Sequence, residues 1–175
     1  MIDPVNNYLA YAGRLLDEIQ GADDPARVYE RFCACEPRIR EIPPPQFRLE
    51  FHALLLAFTT LQWEVSCGEN RIADERIQRA FLRTVTQSFQ SPQSLLFAQT
   101  FSGYLHAPEE AESDSPALLL LASRFFRRLG LNEHLKKDLA AAKINPAFSD
   151  LVHYLEGFKS SFAARFDEFV TSNLA

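Results

Sequence analysis

Cysteine is scarce: Cys33, Cys35 and Cys67 are the three in the chain. An odd, small number without a secretory context excludes a disulfide scaffold and points to reduced thiols in a reducing compartment, with the cytoplasm as the expected location. Long apolar runs are missing too. The longest, Ala53 to Phe58 and Ala117 to Ala122, fall well short of the roughly 18 to 20 residues that cross a bilayer. The start, Met-Ile-Asp-Pro-Val-Asn-Asn, has neither the basic nor the apolar part of a secretory signal. Net positive charge is absent as well: a formal charge of −5 and a pI near 5.4 argue against nucleic acid and anionic membranes as partners. No Lys occurs before Lys136, whereas the first ninety residues carry ten Arg. A GC-rich coding sequence accounts for that bias without assigning it a role.

Chemical signatures are missing in the same way. There is no G-x-G-x-x-G, P-loop, G-x-S-x-G or H-E-x-x-H, and no repeat of fixed period that would indicate a solenoid. A di-iron bundle needs two Glu-x-x-His pairs and two further Glu. The chain offers Asp150-x-x-His153 with Glu156, expected on a solvated helix face. Cys33, Cys35, Cys67 and His52 have the ligand types for zinc, but residues two apart on a helix point about 200° away from each other. Buried apolar thiols are the expectation. The sequence assigns no catalytic residue, no cofactor and no metal ligand.

What is present is enough apolar material to fold. The 175 residues are 47% hydrophobic and 23% charged, the balance of an ordinary globular domain, and 15 Phe weight the core towards large rings. Apolar residues recur three and four apart, so the expected fold is all-α: one domain of about seven to eight helices with an acidic surface loop at about 106–115. Four helix starts share one device, a capping residue followed by Pro: Asp3-Pro4, Asp24-Pro25, Ser91-Pro92 and Ser115-Pro116. Helices are predicted at about 4–20, 25–36, 46–66, 70–89, 92–105, 116–129, 132–143 and 149–173. Pro43-Pro44-Pro45 reads as a stiff extended lead-in to the third, and Cys67-Gly68 as its stop.

Two helices should be central. The third carries Phe47, Phe51, Leu54, Phe58, Leu61 and Val65 on one side and Leu49, Leu56 and Trp63 on another, and a helix apolar on two sides must be covered on two sides. The sixth, Pro116 to Leu129, is dense in Leu and Phe. The long amphipathic C-terminal helix lines up Leu151, Leu155, Phe158, Phe162, Phe166 and Phe169.

Function rests on surfaces. Arg76, Arg79 and Arg83 form a stripe on the fourth helix that suits an acidic partner, although Asp74 and Glu75 compensate it. Gly157, Ser161 and Ala164, with Ser160, put small residues on the back of the last helix, where another helix can approach closely; Gly there costs about 1 kcal/mol relative to Ala. The primary expectation is a non-catalytic protein-interaction or regulatory module that docks a protein partner or a second copy on these faces. The alternative is a binder of an apolar small molecule in a Phe-lined pocket, with His52, Phe58, Phe125 and Phe162 as candidate lining. An enclosed apolar cavity above about 300 Å³ with convergent polar groups favours the binder. A large exposed apolar or small-residue patch favours the interaction module.

Overall fold

Proline at the first positions of a helix is tolerated because the N–H it lacks would have no partner there. That is how α3 begins: Pro43 caps it and Pro44 and Pro45 lie inside its first turn, so the triplet is largely helix and not an extended spacer. The computed structural model of the chain describes residues 3–22, 25–89, 94–109, 116–131 and 146–174. Within them the elements are α1 (Pro4–Ala22), α2 (Pro25–Cys35), a short 3-10 helix (Pro37–Glu41), α3 (Pro44–Glu69), α4 (Glu75–Gln78), α5 (Ala80–Gln87), α6 (Leu95–Leu105), α7 (Ala117–Arg128) and α8 (Pro146–Leu174). The architecture is an all-α bundle, with no strand among the described residues. None of its helices is long and apolar enough to cross a membrane. The helix predicted at 132–143 and most of the acidic loop lie outside the described residues.

α3 is the axis. Residues 53 to 60 are buried without interruption, as are Phe47, Phe51 and Trp63, and the helix packs against α1, α2, α4, α5, α6, α7 and α8. Its two buried hydroxyls are satisfied by their own helix: Thr59 donates to the Leu55 carbonyl and Thr60 to that of Leu56, each at 2.8 Å. Val65, which the apolar pattern put on the buried side, is instead 48% exposed. The helix also runs past Gly68. It ends where Arg71 turns to a φ of 55° and the Ile72 N–H reaches back to the Cys67 carbonyl at 2.9 Å.

The predicted fourth helix is two helices. Asp74 starts α4 by accepting the Arg76 N–H at 2.9 Å, and the chain breaks at Arg79. A tertiary contact lies at the break: the indole N–H of buried Trp63 donates to the Ile77 carbonyl at 2.9 Å. α6 starts at Leu95, after residues 90–93, which lie outside the description, and Pro116 caps α7 rather than opening it. Gly130, with φ of 73°, closes α7 as the sequence anticipates, with the Leu131 N–H on the Phe126 carbonyl at 3.0 Å.

Rings order the rest of the core. Phe125 of α7 meets Phe47 and Phe51 of α3, Phe126 meets Phe148 of α8, and Phe51, Phe58 and Trp63 meet Tyr154, Phe158 and Phe166 in turn. That order makes α8 run parallel to α3. Because α3 is covered on all sides, Phe51→Ala should lower stability by about 3–5 kcal/mol, whereas Val65→Ala should stay within about 0.5 kcal/mol. Urea unfolding followed by Trp63 fluorescence measures both; equal losses would contradict the arrangement.

Candidate functional site

A concave surface forms where α7 ends its contact with α3. The helix buries Leu121, Ala122, Phe125 and Phe126, but Leu118 and Leu119 in its first turn are half-covered. They form one wall of a half-open groove of about 580 Å³. Phe58, Gln62 and Val65 of α3, one turn apart on one face, form a second wall. Phe148, Ser149, Val152, His153, Glu156 and Lys159 of α8 form the third. The lining is mostly apolar. The charged groups belong to α8, where the His153 Nδ1 lies 3.3 Å from a Glu156 carboxylate oxygen.

Two shallower depressions flank this region. One, of about 420 Å³, lies on the other flank of α8 between Arg31, His153, Tyr154, Gly157, Phe158 and Ser161. The other, of about 530 Å³, is lined by His52 with Ile19, Gln20, Leu56, Phe89 and Phe97.

The residues singled out in the sequence are dispersed. Of the pocket candidates, Phe58 lines the groove and His52 the separate depression, while Phe125 and Phe162 are sealed in the core against other rings. The four share no cavity. Gly157, Ser161 and Ala164 are exposed on α8, and no atom would meet a Cβ added at Gly157. The arginine stripe is broken with its helix. Arg76 binds Asp74 through two nitrogens and lies 3.7 Å from Asp3, which holds the Asp74 carboxyl below its ordinary range. Arg79 sits at the break facing Glu64, whose carboxyl is pushed up by partial burial and drawn back by that arginine. Arg83 is exposed on α5. Asp150 does not share the outer face with His153 and Glu156; it pairs with Arg31 of α2.

The most built polar group in the described chain was not among the candidates. Glu50 of α3, with its side chain 6% exposed, accepts from the Tyr104 hydroxyl of α6 at 2.8 Å and from the Arg128 Nε of α7 at 2.7 Å. Arg128 also donates to Thr100 at 3.2 Å, and its guanidinium lies 5.8 Å from the Tyr104 ring centre. Burial and the neighbouring carboxylate raise the Tyr104 hydroxyl well above its ordinary value, so it stays a proton donor. One carboxylate thereby ties three helices together. The signal in the sequence was Glu50 itself, a charge between Leu49 and Phe51 on a helix apolar on two sides. The network has no opening into the groove, and its chemistry is that of an internal clamp.

The cysteines do not converge. Cys33 and Cys67 are buried and Cys35 is half-buried, and no cluster of metal-ligating side chains occurs among the described residues. Burial, with Glu64 adding to it, pushes the Cys67 thiol up to about 12.

Two predictions test these environments. Arg128→Met should cost about 3 kcal/mol because it strands a buried carboxylate, and adding Glu50→Leu should recover most of that loss; a double variant as unstable as the single would refute the clamp. For Cys67, between its ordinary value of 9.0 and about 12 the unfolded chain sheds a proton that the folded chain keeps. Stability should therefore fall as pH rises through that window, and Cys67→Ala should flatten the fall in urea midpoints measured over it. An unchanged slope would place the thiol in contact with water.

Set beside known proteins, the chain matches no family model, no curated protein and no solved structure.

Proposed function

We propose that this chain is a non-catalytic binding module that receives the apolar body of a small molecule in the groove between α3, α7 and α8. The observation that carries the reading is the groove itself: about 580 Å³, walled mainly by Phe58, Val65, Leu118, Leu119, Phe148 and Val152, with its charged groups on one helix. The groove is half-open where the sequence reading called for an enclosed cavity, and its volume and composition lie within the range of ligand sites. The α8 lining spans Phe148 to Lys159, about 16 Å at helical rise. An extended chain of about twelve carbons has a similar length, from ordinary carbon–carbon distances.

The sequence expectation of a protein-interaction module is favoured by a different feature. Gly157 and Ser161 line the shallow depression on the other flank of α8, with Ala164 exposed one turn further, a surface suited to a partner helix or a second copy. It ranks second because the large apolar side chains exposed among the described residues are Val65, Leu95 and Leu96, which do not make the extended apolar patch a partner face requires. The reduced-thiol composition supports action in the cytoplasm under either reading.

A series of 1-alkanols tests the proposal without presupposing a head group. Each methylene that enters apolar surroundings gains about 0.8 kcal/mol, so affinity should rise about two- to fourfold per carbon in a half-open groove and level off near about twelve carbons. Titration calorimetry gives the affinities, and methyl shifts at Val65, Leu118 and Val152 locate the ligand. Absence of saturable binding, or shifts confined to other surfaces, would reject the proposal.

A further inference from the structure

The polar groups of the groove are unevenly distributed. Along α8 the lining runs through Phe148, Ser149, Val152 and His153 and ends with the charged Glu156 and Lys159. Glu156 is engaged with His153 at 3.3 Å, along the outer face of the helix. Lys159 is exposed and has no carboxylate within ion-pair distance among the described residues. The same groove is lined on α3 by Gln62, a neutral hydrogen-bonding group, and by Val65, 48% exposed. An apolar trough that ends beside an uncommitted ammonium and an amide matches a molecule with an alkyl body and an anionic end.

We infer that the ligand class is a single-chain carboxylate of about the length of dodecanoate, with the carboxylate at Lys159 and the alkyl chain along Phe58, Leu118 and Val152. The inference rests on the reading of the groove as an alkyl site and adds the sign of the head group. Three features argue for a carboxylate over a neutral or cationic end. The carboxylate in the lining, Glu156, is hydrogen-bonded to His153 at 3.3 Å. Lys159 is a flexible point charge with three donors, suited to a small anion that keeps part of its hydration. The groove is half-open at its charged side, so the head group need not be stripped of water to reach it.

The test compares dodecanoate, 1-dodecanol and dodecyltrimethylammonium, each below its micellar concentration, on the full chain and on Lys159→Met, by titration calorimetry and methyl shifts. An exposed ion pair contributes little, so dodecanoate should bind about two- to fivefold more tightly than 1-dodecanol at low salt. That advantage should fade as salt is raised. Lys159→Met should abolish it, so that dodecanoate and 1-dodecanol bind that variant alike. Equal affinity for dodecanoate and 1-dodecanol, tighter binding of the ammonium, or an equal loss for both ligands in Lys159→Met would overturn the inference. The groove reading would survive any of these three results. If none of the three amphiphiles binds, the groove reading fails and the carboxylate falls with it.

Discussion

A helix that is buried around its whole circumference imposes a condition on every element near it, and α3 imposes that condition here. Its residues 53 to 60 have no solvent face, so helices must stand on all sides of it, and the rest of the chain is arranged to supply them. Near its C-terminal end Trp63 meets rings of α1, α5 and α8, and near its N-terminal end Phe47 and Phe51 meet rings of α2 and α7. The Phe-rich composition follows from the same condition. Rings from α2, α3 and α7 meet edge to face around Phe47 and Phe51, a packing that holds helices apart at the distances their side chains need.

A charge inside such a helix has to be neutralised by whatever covers it. Glu50 supplies the charge, and Tyr104 and Arg128 come from two different covering helices to meet it. A buried ion pair is a weak source of net stability, because the attraction is offset by the cost of taking both ions out of water. Its consequence is positional: α6 and α7 can meet α3 in one register, since any slip of either would leave a carboxylate unpaired in the core.

The helical layout was readable because it depends on local period, capping residues and proline, all of which act within a few positions. The centrality of α3 was readable for the same reason, from its two apolar stripes. What could not be read depends on distant partners. The break at Arg79 lies beside a hydrogen bond from Trp63 to the Ile77 carbonyl, and nothing in residues 70–89 announces that contact. Arg128, in the last turn of α7, has its partner 78 residues earlier. The candidate lining of Phe125 and Phe162 misjudged ring packing: a Phe flanked by other rings is sealed by them, whereas a cavity opens where a short apolar turn lacks a partner. Phe58 lines the groove although it lies in the middle of the stripe and is as buried as Phe162.

The location of the groove follows from where α7 is held. Arg128, Phe125 and Phe126 fix the C-terminal half of α7 against Glu50, Phe47, Phe51 and Phe148. Leu118 and Leu119 in its N-terminal half line the groove together with Phe58, Gln62 and Val65 of α3. Apolar side chains left half-covered by such a constraint carry an unspent hydrophobic driving force, which a molecule of matching length can use without reorganising the core. In this fold the clamp holds one end of α7 and the groove lies beside the other, and no atom of Glu50 lines it.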